Sequence, residues 1–268
     1  MPTALILELR PHQAGPVPAH LGRATHAAVL RLLAAADPAL AARLHDEEGP
    51  KPLTVSSVLG LDGRGATALV APEHLYGLRV TLLDAATERA AAQWTAAAIG
   101  AIELNGRGWQ VEHVARDAAA SPWAGASSYQ ELAAPILTRT VVPPSRWEFE
   151  FNAPVTFRQR GMNQPLPSAD LVFGSLLDKW NAFAPVALPD EVRRFAAECM
   201  AVSRFELRSL GIPAKNGAVQ IGAVGICTYV ATNRDRYWLA CIETLARFAF
   251  WSGIGAATAR GFGMTRLL

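Results

Sequence analysis

Apolar and polar positions along the chain change period several times, and each change marks an element. TALILELRP (3–11) follows the two-residue period of a β-strand. GRATHAAVLRLLAAA (22–36) shifts to the helical period with one apolar face. Asp37 and Pro38 form an N-cap and first-turn pair that starts a second short helix, ALAARLH, ending at His45. PLTVSSVLG (52–60) and LYGLRVTLLD (75–84) return to strand character. Asp84 is placed to cap a helix, AATERAAAQWTAAAIG, that stops at Gly100, and WQVEHVAR (109–116) reads as a closing strand. The order is β-α-β-β-α-β, a ferredoxin-like unit.

The second half repeats the scheme. WEFEFNAPVTFRQ (147–159) is strand-like, and Ser168 is expected to cap the helix ADLVFGSLLDKWNAF, whose Val172, Phe173, Leu176, Leu177, Trp180 and Phe183 share a core-facing side. AVSRFELRSLGI and VQIGAVGICTYVA pair as a hairpin. A helix over 235–252 and a short strand, FGMTRLL, close the chain. Between the halves, DAAASPWAGASSYQELAA (117–134) is small and polar without a sustained period. The pattern predicts an α+β protein of two tandem ferredoxin-like domains, over 1–120 and 146–268, joined by a linker over 121–145.

Composition narrows the class. Apolar residues make up 51% of the 268, enough for a sizeable core. No apolar run approaches the roughly 20 residues that a membrane helix needs. The start, MPTALILELRP, reads as a first strand and not as a signal peptide. Cys199, Cys227 and Cys241 are odd in number and far apart, which suits buried thiols in a reducing cytoplasm. Residues 1–134 hold 10 Lys and Arg against 13 Asp and Glu, whereas residues 135–268 hold 15 against 10. This tilt, nearly all arginine, points to an anionic partner.

The glycines at 253, 255, 261 and 263 suggest close backbone approach to a ligand. They do not form a dinucleotide fingerprint, because Thr258 stands where a third glycine would fall and the helix precedes the loop. Arg260 inside the loop favours a phosphate backbone. No H-E-x-x-H, C-x-x-C or G-x-S-x-G occurs, so neither a metal nor a cofactor is expected. His45, at a helix end, and Lys51, six residues on across a Gly-Pro turn, could respectively move a proton and neutralise a phosphate. Spacing alone also allows the plainer alternative, in which His45 caps the helix and Lys51 is a solvated turn residue.

Four stretches decide between these readings: LHDEEGPKPLTVSS, SYQELA, LPSADLVFGSLLDKWNAFAP and GIGAATARGFGMTRLL. In content and order the chain resembles the CRISPR repeat-processing endoribonucleases of the RAMP superfamily. That resemblance implies a metal-independent enzyme that cuts precursor CRISPR RNA within its repeats. The 2′-hydroxyl attacks the adjacent phosphate and leaves a 2′,3′-cyclic phosphate. It implies catalytic roles for His45 and Lys51. The family's tyrosine on the first helix has no counterpart here, since Leu30 holds the aligned position. His26, one turn earlier on the same face, is the candidate replacement, with quiet packing against the sheet as its alternative. The resemblance further implies RNA contacts from Gly253, Gly255, Arg260, Gly261 and Gly263. Arg158, Arg160, Lys179, Arg193, Arg194, Arg204, Arg208 and Lys215 are candidates for a basic groove. Repeat RNA is the expected partner, with other subunits of a CRISPR effector complex or a second copy of the chain as further candidates. The competing function is a non-catalytic RAMP-type RNA-binding subunit.

Overall fold

The computed structural model describes residues 1–46, 48–61, 65–138, 142–214 and 218–268. They divide into two units: Met1–Ser127 with Ala259–Gly261, and Ser128–Thr258 with Phe262–Leu268.

In the first unit β1 (Thr3–Pro11) lies at the centre of the sheet. It is followed by β2 (Gly15–Pro18), α1 (Gly22–Ala36), α2 (Pro38–Asp46), β3 (Leu53–Leu59), β4 (Thr67–Val70), β5 (Tyr76–Leu82), α3 (Ala85–Ala91), α4 (Ala96–Ile99), β6 (Ala101–Leu104), β7 (Arg107–Ala115) and β8 (Gly125–Ala126). The sheet runs β3-β5-β1-β7-β6, so its four principal strands keep the ferredoxin-like order, with β6 added at one edge. Leu5, Leu7 and Leu9 of β1, Leu78 and Val80 of β5, and Ala28, Val29 and Leu33 of α1 build the core between helices and sheet.

The helix expected from 85 to 100 is interrupted. Arg116 Nη2 donates to the carbonyls of Ala91 and Trp94, at 3.0 and 2.9 Å, which ends α3. Thr95 then caps α4, accepting from Ala98 N.

Much of the span expected as a linker is ordered. Gly125 and Ala126 pair with β1, and Arg79 Nε donates to Trp123 O at 2.9 Å. Ala124 and Trp123 pack with Ile6 and Ala115 in a small apolar cluster. Composition conceals this, because the segment contributes only a few apolar side chains and a backbone edge.

The second unit contains α5 (Tyr129–Leu132), α6 (Ala134–Leu137), β9 (Arg146–Val155), β10 (Phe157–Gln159), β11 (Met162–Gln164), α7 (Ala169–Phe183), α8 (Glu191–Cys199), β12 (Met200–Pro213), β13 (Val219–Ala231), α9 (Arg236–Ser252), a 3-10 turn over Thr258–Arg260 and β14 (Thr265–Leu267). The order β12-β13-β9-β14 is again ferredoxin-like. The SYQELA stretch is explained by α5. Ser128 and Glu131 close a reciprocal capping box, and Tyr129 packs edge-on to Trp180. Asp235 caps α9 through Tyr237 N and Trp238 N. Ser168 occupies the N-cap position of α7, but its hydroxyl donates to Asp170 and not to the backbone. Lys215 lies outside the described residues, as does part of the expected linker.

Candidate active site

The β3 segment LTVSSVL organises the site. Its pairing with β5 shifts register between Val55 and Val58. Ser56 and Ser57 sit in the shift and serve as attachment points. Ser57 Oγ accepts from Leu21 N at 2.8 Å, and Ser56 O accepts from Thr25 Oγ1 at 2.7 Å. These bonds fix the start of α1 against β3. His26 follows Thr25 directly, and Lys51 lies two residues before β3 begins. His45 is in the last turn of α2, where the helix dipole favours positive charge.

The segment Ala259–Gly261 completes this unit. Gly261 N donates to Val55 O at 2.8 Å, which places Arg260 beside the same strand. Arg260 is exposed. His26 is half-buried, and burial is the main cause that lowers its pKa below the ordinary value. The charge of Arg260 lowers it further, a hydrogen bond with the Ala259 backbone opposes this, and Lys51 and His45 add smaller lowering effects. Arg260, Lys51 and His45 therefore each act electrostatically on His26. Among the described residues, His26 Nδ1 is buried with no hydrogen-bond partner. Leu30, one turn on, packs against the core.

The glycines have work within the chain. The amides of Gly253, Gly255, Gly261 and Gly263 donate to Ala249 O, Ser175 Oγ, Val55 O and Pro154 O respectively. All four residues are buried. At Gly263 φ is +74°, and an added Cβ would fall 2.3 Å from Ile254 O. The expectation that these amides hold an RNA backbone is therefore revised, because their donors are already used. Glycine is needed for the chain's own close packing, and what the segment leaves exposed is Arg260.

Lys179 also departs from expectation. It is buried, and its Nζ donates to Gly253 O at 2.9 Å and Ser252 O at 3.3 Å, closing the C-terminus of α9. It is an internal clamp and not a groove-lining cation. Arg158 and Arg160 are exposed on the β10–β11 hairpin. Arg204 and Arg208 are exposed on β12; Arg204 pairs with Glu206 on the same strand. Arg193 and Arg194, on α8, pair with Asp178 and Glu198.

Sequence reasoning gave no role to His20. It reaches Gly261, 241 residues away, with Nε2 at 3.2 Å from the carbonyl oxygen. No local pattern could signal that contact. Among the described residues, no group of His, Cys, Asp and Glu is arranged to hold a metal ion, and no helix is long and apolar enough to cross a membrane.

Two ferredoxin-like units define a tandem ferredoxin-like protein, and the first of them bears His26, His45, Lys51 and Arg260. Residues 149–265 match the CRISPR-associated endoribonuclease Cas6, and residues 1–134 match the CRISPR Cas6 N-terminal domain. The chain belongs to the Cas6 family of endoribonucleases that process CRISPR RNA. Thermus thermophilus Cas6 (TTHB231), solved as a product complex, is 28% identical with a TM-score of 0.81 over the whole of both chains. A second Cas6 (TTHA0078), also a product complex, is 28% identical with a TM-score of 0.78, covering all of this chain and 99% of its own. A Cas6-related protein from Pyrococcus furiosus shares the fold, with a TM-score of 0.65 at 12% identity over 100% of this chain and 99% of its own. No curated protein sequence matches the chain.

Proposed function

We propose that the chain cuts precursor CRISPR RNA within its repeats without a metal ion, by internal attack of a 2′-hydroxyl. The observation that carries this reading is that Arg260, Lys51 and His45 all lie close enough to His26 to act on its charge. His26, held towards its neutral form, takes the 2′-hydroxyl proton. The freed oxygen attacks the adjacent phosphorus, and the bond from phosphorus to the 5′-oxygen breaks. His45, in the last turn of α2, gives that leaving oxygen a proton. Lys51 and Arg260 offset the charge that builds on the phosphate. The products are a 2′,3′-cyclic phosphate and a 5′-hydroxyl, so atoms and protons balance with no other reactant. Arg158 and Arg160 are the exposed candidates for gripping RNA away from the cut. The likeness to Cas6 structures solved as product and substrate-mimic complexes supports repeat RNA as the partner.

The test is cleavage of labelled repeat RNA in EDTA, with the new 3′ end analysed. A cyclic phosphate formed at the full rate supports the reading. Dependence on added metal, or a plain 3′-hydroxyl end, contradicts it.

A further inference from the structure

The turn that leads into α1 and the segment Ala259–Gly261 are packed closer than side chains allow. A Cβ on Gly22 would fall 2.2 Å from Arg260 O and 2.6 Å from His20 Cε1. One on Gly261 would fall 2.7 Å from His20 Cε1 and 2.9 Å from Gly22 Cα. The His20 ring lies in this contact and is bonded at both nitrogens. Nδ1 faces Gly22 N at 3.4 Å, and Nε2 faces Gly261 O at 3.2 Å. An amide N–H can only donate and a carbonyl can only accept, so the pair selects the neutral tautomer with its proton on Nε2. Burial favours the same form, since it lowers the His20 pKa, with the Gly261 bond opposing.

Gly261 is not an arbitrary attachment point. The residue before it is Arg260, and both Arg260 and the Ala259 backbone before it act on the titration of His26. Gly261 N is held by Val55 O, so His20 supplies the second of two ties on the same residue.

We propose that His20 is a positioning residue for RNA cleavage: as a neutral latch on Gly261 O it holds the segment Ala259–Gly261 in place beside the start of α1 and fixes the base from which Arg260 projects. It touches no reacting atom. The inference rests on the reading of His26 and Arg260 as parts of the cleavage site, but one arm of its test needs no RNA.

Three variants separate latch from scaffold. His20→Gln keeps a donor and an acceptor at comparable reach. His20→Asn keeps both but is too short to span to Gly261 O. His20→Ala removes both. In the RNA-free protein, NMR titration of the His26 imidazole reads whether the segment still covers it. Desolvation and Arg260 are its leading lowering influences. Release of the segment therefore raises the His26 pKa towards its ordinary value in His20→Ala and His20→Asn, and His20→Gln leaves it near wild type. Single-turnover cleavage follows the same order, with a loss of about 100-fold in Ala and Asn, the scale of an ångström-level misplacement. The acid limb of the rate profile moves up with the His26 titration, and Gln restores both. Thermal melts confirm folding, and if His20→Ala does not fold, the comparison of Asn with Gln decides. An unchanged His26 titration in folded Ala or Asn protein overturns the proposal. So does a Gln variant as slow as Ala, because the imidazole itself would then be required. Failure of the wild type to cut repeat RNA would count against the cleavage reading and leave the NMR result to judge the latch.

Discussion

Replacing Lys179 by methionine separates an internal clamp from an RNA contact. The ammonium is buried, and desolvation lowers its pKa from 10.5 to about 7, with Asp178 weakly opposing. In the unfolded chain the group keeps its proton up to its ordinary pKa. Between about pH 7 and 10.5 the unfolded state therefore binds more protons, and raising the pH favours the fold. The contribution is complete above the unfolded value and is lost as the pH falls through the folded one. One pKa unit corresponds to about 1.4 kcal/mol, so between pH 7 and pH 9 the wild type should gain about 2 to 3 kcal/mol from this group alone. Lys179→Met abolishes that gain. It also strips the carbonyls of Ser252 and Gly253 of a donor, at a cost of about 1 to 3 kcal/mol at either pH. Denaturant titrations followed by tryptophan fluorescence at the two pH values supply the comparison. The stability difference between wild type and variant should widen with pH by the stated amount. Parallel pH dependences would refute the buried-clamp assignment. A salt slope for RNA binding that flattens in the variant would return Lys179 to the groove.

His45→Ala should slow single-turnover cleavage by about 100- to 10,000-fold while leaving RNA affinity near wild type, checked by filter binding beside quenched-flow rates. His26→Ala should fall in the same range, and because burial lowers its pKa, the acid limb of the wild-type rate profile should lie below the ordinary histidine value. Arg260→Ala should weaken binding and flatten the log–log salt slope by roughly 0.7, the share of one phosphate contact on single-stranded RNA. Gly263→Ala should cost about 2 to 5 kcal/mol in a denaturant titration, through its positive φ and the collision with Ile254 O.

The two βαββαβ units were legible because each strand and helix carries its own period, from TALILELRP to the apolar face of α7. The break between α3 and α4 was not, because Arg116 captures the helix-ending carbonyls from another element. The small edge strands β2, β4, β6 and β8 are too short for periodicity to register. At the site, the spacing of His45 and Lys51 and the place of His26 on α1 could be read directly. The use of the four glycines could not, since a glycine required by the chain's own backbone looks the same in sequence as one required by a ligand. Lys179 shows the same limit. Its motif neighbours Phe173 and Trp180 mark core, but only the fold shows its ammonium turning inward to α9. His20 lay beyond reach altogether, because its partner is at the other end of the chain.

Cleavage of repeat RNA carrying a single 2′-deoxy substitution immediately 5′ of the cut tests the central claim most directly. The all-ribose repeat should be cut in EDTA and end in a 2′,3′-cyclic phosphate. The deoxy repeat should bind with similar affinity and remain intact, because the only nucleophile is gone. Cutting of the deoxy repeat at the rate of the ribose substrate would contradict internal attack and, with it, the roles given to His26 and His45.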